Sequence, residues 1–381
     1  MSQPVPDPAP DLAPATLVAA GISLCFAPQG GALRDLTIQD QGAEIAPLHR
    51  APWAAAEVPP DAPPHQRGLG GDFLAAPMGP DPAGLHGPAA NGLWRPVAAA
   101  PGTLRAVLEA PVQGATLVKE LRLVDHHPFL YQRHLFIGGS GALPVANHAM
   151  VALPRGGRLS FSRKRWFETL PAPLETDPTR GRSCLAYPRR AEDPAEFPGA
   201  KDGTVNLHRF PWGPAHEDFV SGVEDPASTL GWTAVVRPDE GDLFLSLKNP
   251  AHLPLTMLWH SNGGRDYPPW NGRHLGCLGV EEGAALPVLG LSAAETPDPL
   301  SAAGQPGLLT LDPLGTVEIR HVIGALHWPS GQTVAGVRLD GDRLTVTGDW
   351  GAERQVPILG AWLGLAGPAV AAPKPRLDWD A

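Results

Sequence analysis

The sequence predicts an all-β protein. Short apolar runs with a period of two recur along the 381 residues, and turn residues separate them, with 44 glycines and 46 prolines making up about a quarter of the chain. No segment carries the sustained 3.6-residue apolar stripe of an amphipathic helix, and no internal repeat of solenoid or propeller type is present.

The elements follow in order. Leu17 to Phe26, then Gly30-Gly31, then Leu33 to Ile38 predicts a hairpin, because paired glycines supply the positive φ angles of a tight turn. In Leu117 to Val124, Leu117, Leu121 and Leu123 share one face while Glu120 and Arg122 take the other; Phe129, Tyr131, Leu135 and Ile137 align next. Leu243, Leu245 and Leu247, and then Val317, Ile319 and Ile323, read as half-buried strands. Pro299 to Ala303 is expected to form one turn of helix, and Asp340-Gly341-Asp342 predicts a second hairpin. The expected organisation is a tail over residues 1–15, one domain over 16–366 and a second tail over 367–381, where Pro368, Pro373 and Pro375 cluster.

Composition narrows the function. With 43% hydrophobic and 18% charged residues the chain can bury a sizeable core. A net charge of −10 without a block of lysine or arginine argues against a nucleic-acid or anionic-membrane partner. Three dispersed cysteines, Cys25, Cys184 and Cys277, suit free thiols. The proline- and aspartate-rich start lacks the features of a secretory signal, and no apolar run reaches the length of a spanning helix, so the expectation is a cytoplasmic protein.

Several motifs fail on spacing. Gly68-Leu69-Gly70-Gly71 and Gly138-Gly139-Ser140-Gly141 lack the dinucleotide fingerprint, and Ser140 is not in Gly-x-Ser-x-Gly. His126 and His127 are adjacent and so take opposite strand faces, and no His-x-His or His-Glu-x-x-His pair occurs; no metal and no cofactor are expected. Arg163-Lys164-Arg165 reads as a solvated basic run, with recognition of a sugar phosphate as the alternative.

Reactive groups gather in three segments. The first runs from Gly70-Gly71-Asp72-Phe73 through Pro77-Met78-Gly79 to His86-Gly87-Pro88-Ala89-Ala90-Asn91-Gly92-Leu93-Trp94. The second is Pro144-Val145-Ala146-Asn147-His148-Ala149. The third extends from Leu258-Trp259-His260 through Arg265-Asp266 and Trp270-Asn271 to Cys277-Leu278-Gly279-Val280-Glu281-Glu282.

Together these segments resemble the aldose 1-epimerase and galactose mutarotase-like superfamily, in a branch distant from the well-known galactose mutarotases. His86, Gly87, Asn91 and Trp94 stand in register with its His-Gly-x-x-Arg-Asn-x-x-Trp pattern, with Ala90 at the arginine. His148 matches the second active-site histidine. Glu281 matches the glutamate of Ile-Glu-Pro, with Glu282 at the proline and so a second candidate for its role. The resemblance covers Leu17 to Leu365 and implies an antiparallel β-supersandwich handling a small-molecule sugar.

It also implies a chemistry. Mutarotation removes the proton of the anomeric hydroxyl while protonating the ring oxygen, then recloses the ring, which needs one base and one acid. By resemblance Glu281 is the base, His148 the acid, and His86 a hydrogen-bonding partner near the ring oxygen. Asn91, Arg265, Asp266 and Asn271 are expected to bind hydroxyls, and Trp94, Trp259 or Trp270 to lie against the ring. Two alternatives stay open: a carbohydrate-binding protein without catalysis, which Ala90 favours, and an enzyme acting on a modified sugar.

Overall fold

A computed structural model describes residues 12–177, 182–289 and 300–365. Most of the two expected tails lies outside these residues, as does Pro299; Ser301–Ala303 forms a three-residue 3₁₀ turn. The architecture is two large antiparallel sheets packed face to face. One has nine strands, in the order Arg209–Phe210, Gly157–Phe161, Gly231–Arg237, Asp242–Lys248, Thr316–His327, Phe129–Gly138, Ala115–Arg122, Thr103–Leu108 and Trp94–Ala100. The other has seven, in the order Arg190–Ala191, Lys164–Thr169, His216–Glu224, Leu255–Asn262, Cys277–Ala284, Val145–Ala152 and Leu74–Ala75. Phe136, Phe244 and Ile323 from the first sheet meet Val151, Leu258 and Val280 from the second in one core. Among the described residues no helix is long and apolar enough to cross a membrane.

Both predicted hairpins form, at Gly30-Gly31 and at Gly341-Asp342. The run Leu17 to Phe26 is not one strand, however. It breaks at Ala20-Gly21 into Ala15–Ala19 and Ile22–Ala27, themselves paired, because Gly21 adopts a φ of 85°. A second departure concerns Asp242–Lys248, which is buried on both faces rather than one. Phe244 faces the inter-sheet core. Leu243, Leu245 and Leu247 are covered by a three-stranded sheet, Val334–Asp340, Arg343–Gly348 and Glu353–Pro357, through Val334, Leu344, Val346 and Val356. A sequence period of two reports that two faces differ, and here both are covered.

The inter-sheet space also holds charge. Glu282 accepts hydrogen bonds from Thr233, Ser246 and Thr256 and pairs with Lys248 at 2.5 Å; Lys248 lies 3.2 Å from Glu224, which also pairs with Lys164. Lys164 is therefore committed to the interior, in place of the solvated basic face expected for Arg163-Lys164-Arg165. Burial works to raise the Glu282 carboxyl, but Lys248 and Lys164 outweigh it and hold it down at about 2. Removing one partner strands the others without solvent. Glu282→Ala is expected to lose about 3–5 kcal/mol in urea unfolding, against less than about 0.5 kcal/mol for the exposed Glu353→Ala.

Candidate active site

The seven-stranded sheet has an outer face, turned away from the nine-stranded one, and strand alternation decides what reaches it. In Cys277–Ala284, residues Leu278, Val280, Glu282 and Ala284 point inward, which sends Cys277, Gly279, Glu281 and Gly283 outward. In the neighbouring Val145–Ala152, His148 points outward directly opposite Glu281 in the register. Their side chains meet, with His148 Nε2 3.0 Å from Glu281 Oε1. Gly279 makes this room: a Cβ there would sit 3.0 Å from Glu281 Oε1 and 3.0 Å from Trp259 Cβ. Glu282 is removed from the question, since the same alternation buries it among the lysines.

Loops roof this face and enclose a cavity of about 360 Å³. The segment before His86 doubles back so that His86 N donates to Gly79 O, and His86 takes a left-handed φ of 71° ahead of the short helix Gly87–Asn91. A Cβ on Gly87 would lie 2.3 Å from Pro77 Cδ, so only glycine lets this turn close against its neighbour. His86 then stands with its ring centroid 5.5 Å from that of His148, and Phe73 stacks on His148 at 4.6 Å while also lying 5.8 Å from His86. Asp72 adds a brace from behind, its carboxylate accepting from His148 N at 3.0 Å and from Gln132 Nε2 at 2.6 Å.

Six of the residues singled out from sequence border this cavity: His86, His148, Glu281, Trp259, Arg265 and Trp270. Four do not. Asn91 is used up in the turn, donating to Leu85 O and Gly87 O and accepting from His65 N. Trp94 is fully buried in the core, donating to Ala89 O with Lys119 over its ring. Asp266 and Asn271 are exposed on the loop that carries Arg265 and Trp270 inward. Ala90 is buried, and among the described lining residues the one guanidinium is that of Arg265.

Sequence reasoning missed His65, whose ring lies 5.3 Å from that of His86, and Glu217, which pairs with Arg265 at 3.3 Å and accepts from Trp259 and Ser261. His65 lies in a proline-rich irregular stretch with no periodic signal. Glu217 does leave a trace, as one of several polar residues in the strand His216–Glu224, all of which is buried.

Burial dominates the electrostatics. It pushes His148 down to about 3 and holds the Glu281 carboxyl well above its usual range. His86 is lowered by burial and by the neighbouring His148 and His65, and His65 falls to about 4 through burial, opposed by its bond to Asn91. Burial also raises Glu217, with Arg265 opposing. Burial therefore favours the uncharged forms of His148, His86, His65 and Glu281, which biases the dyad of His148 and Glu281 toward a single shared proton.

The sequence matches no family model and no curated protein sequence. Solved structures do match. An Escherichia coli protein provisionally assigned as an aldose 1-epimerase superposes with a TM-score of 0.55 at 14% identity, covering 82% of this chain and 98% of its own. The fold is that of the galactose mutarotases. A homologue of the GalM/aldose epimerases from C. elegans gives 0.54 at 14% identity over 83% and 99%, and a galactose mutarotase related enzyme from Lactobacillus acidophilus gives 0.53 at 11% over 83% and 98%. The galactose mutarotase-like scaffold thus spans the two large sheets described above, with the cavity on the outer face of one.

Acid should destabilise this molecule. His65, His86, His134, His148, His260 and His321 are all lowered by burial, so below about pH 6.5 the unfolded chain binds protons that the folded one refuses. The raised carboxyls of Asp72, Glu217 and Glu281 act in the opposite sense but are fewer. Thermal unfolding is expected to show a melting temperature that falls steadily from pH 7 to pH 5. A melting temperature that rises over that range would contradict the assignment of buried neutral imidazoles.

Proposed function

We propose that this protein interconverts the α and β anomers of an aldose by acid/base ring opening, with His148 and Glu281 as the proton-transferring pair. The observation that carries the reading is their geometry: an imidazole and a carboxyl on adjacent strands, 3.0 Å apart, in a cavity walled by tryptophans. The anomeric oxygen and the ring oxygen are both bonded to one carbon, so a base and an acid this close together can engage the two at once. Proton removal from one and delivery to the other opens the ring, and rotation about the C1–C2 bond before reclosure inverts the anomer.

Burial supports a resting pair with the proton on Glu281 and His148 neutral, the reverse of the roles implied by resemblance. In that state Glu281 donates to the ring oxygen and His148 accepts from the anomeric hydroxyl; reclosure runs with the roles exchanged. His86, 5.5 Å from His148 between ring centroids, is placed to hydrogen-bond the sugar as charge develops. Trp259 and Trp270 offer faces to the ring, and Arg265, held over Trp270 and paired with Glu217, presents donors to hydroxyls.

A second reading, an enzyme on a modified, less hydroxylated sugar, is favoured by one observation. Leu69, Met78, Leu170, Leu174, Phe219 and Val288 all border the cavity, which gives ring hydroxyls few partners over much of its wall. The two readings separate on a panel of hexoses, 6-deoxyhexoses and hexose phosphates, each followed from a freshly dissolved single anomer by NMR. Glu281→Gln and His148→Ala are each expected to lose at least about 10²-fold in acceleration. Retained sugar binding with no acceleration by the unmodified protein would instead identify a carbohydrate-binding protein.

The pH profile gives an independent check. Groups facing the dyad are His86, His65 and Phe73 from the roof, Trp259 from the adjacent strand, Glu217 from the strand beyond it, Arg265 from the following loop, and Cys277 on Glu281's own strand. With His148 lowered to about 3 and Glu281 held well above its usual range, burial widens at both ends the pH interval in which the pair carries one proton. The rate is expected to be flat across about pH 6–8, in contrast to the limb near 6.5 that an ordinary histidine would give.

A further inference from the structure

Behind the tryptophan wall lies a second group of reactive side chains that the proposed chemistry does not use. One nitrogen of His49, one of His274 and Cys277 Sγ lie within 4.8 Å of one another. His274 is 1% exposed and its Nδ1 is engaged by Ser261 Oγ at 2.7 Å, which leaves Nε2 as the free atom. His274 Nε2 and His49 Nε2 are both buried with no hydrogen-bond partner among the described residues. Two orphaned imidazole nitrogens beside a buried thiol are costly unless something binds them.

We propose that His49, His274 and Cys277 form a binding site for a zinc-class divalent cation, outside the sugar cavity and structural in role. Two imidazoles and a thiolate form a borderline-soft donor set, which selects such ions over magnesium or calcium. Zinc bonds of about 2.0–2.3 Å hold tetrahedral nitrogen and sulfur ligand atoms roughly 3.3–3.6 Å apart, so the triangle closes by contracting about 1.5 Å at most. Ser261 serves as the outer partner that fixes the His274 tautomer, and it is itself tied to Glu217. Binding displaces the proton of Cys277 to solvent while both imidazoles bind as neutral bases, so one proton leaves per cation and affinity rises with pH.

The ligands come from three separate stretches. His49 belongs to the segment bonded to the edge of Val145–Ala152 through His49 N and Met150 O; His274 ends the loop carrying Arg265 and Trp270; Cys277 begins the strand that bears Glu281. The His274 ring stacks on Trp259 at 5.5 Å and meets Trp270 edge-on at 5.0 Å. A cation there pins the loop to the sheet directly behind the cavity wall. A similar cluster, Cys184, His216 and Asp218, does not qualify, because the Asp218 carboxylate already accepts from Cys184 N, Leu185 N, Tyr187 Oη and His216.

The test is a titration of the full chain, stripped with chelator, by Co²⁺ and then Zn²⁺. The expected result is one equivalent bound, a thiolate-to-cobalt charge-transfer band, and a melting temperature raised by zinc. The band should survive Cys184→Ser, vanish in Cys277→Ser and need at least about tenfold more cobalt in His49→Ala. No band in the unmodified chain, or one that persists in Cys277→Ser or is lost in Cys184→Ser, overturns the site. Should Cys277→Ser not fold, His49→Ala decides: unchanged affinity there also overturns it.

Discussion

Glu281 and Glu282 are neighbours on one strand, and the molecule depends on keeping them on opposite sides of a sheet. Glu282 is tied across the inter-sheet space to Lys248 and to hydroxyls of the nine-stranded sheet. Such a buried ion network adds little net stability compared with an apolar core, but it is intolerant of displacement. A slip of one residue in Cys277–Ala284 would bring Glu281 in among the lysines and expose Glu282 to the cavity. The network therefore acts as a register lock, and the position of Glu281 opposite His148 follows from it.

The same pair shows how environment rather than residue type sets acidity. Both carboxyls are fully buried. Glu282 has two ammonium groups within reach and stays ionised; Glu281 has a neutral imidazole and apolar walls, and burial alone raises it. One strand thus carries an ionised carboxylate on one face and, on the other, a carboxyl that burial biases toward its neutral form. The polar chain continues on the inner side from Ser246 through His321 and Gln132 to Asp72, whose carboxylate holds the backbone of His148. Register and the orientation of the second dyad member are thereby fixed from one shared interior.

The strands were readable from sequence because period-two alternation is a direct image of the pleat, and the His86, His148 and Glu281 segments were readable because they carry family-like motifs. What failed has physical causes. Asn91 and Trp94 stood in register with the motif, yet they serve the turn that presents His86 and the core beneath it; a motif marks a place in the fold without saying which of its side chains face the ligand. Asp266 and Asn271 alternate with Arg265 and Trp270 in an irregular loop, where no periodicity tells inside from outside. The cover over Asp242–Lys248 comes from strands about a hundred residues away, and local pattern does not report such distant contacts.

The dyad's own hydrogen bond poses the last question of this site, since His148 Nε2 and Glu281 Oε1 satisfy each other at 3.0 Å before any sugar arrives. Exchanging that bond for two bonds to a substrate is favourable only if both groups retain partners throughout, because an orphaned buried group costs about 1–3 kcal/mol. Glu281 Oε2 and His148 Nδ1 lack partners among the described residues, so each side chain already has unused capacity. A ligand presenting one donor and one acceptor on adjacent oxygens can satisfy that capacity without first breaking the pair, and a hemiacetal carbon bears such oxygens. A ligand with a single polar group leaves one member of the pair unsatisfied. The unused capacity of the pair, one atom on each side chain, is what the proposed substrate would complete.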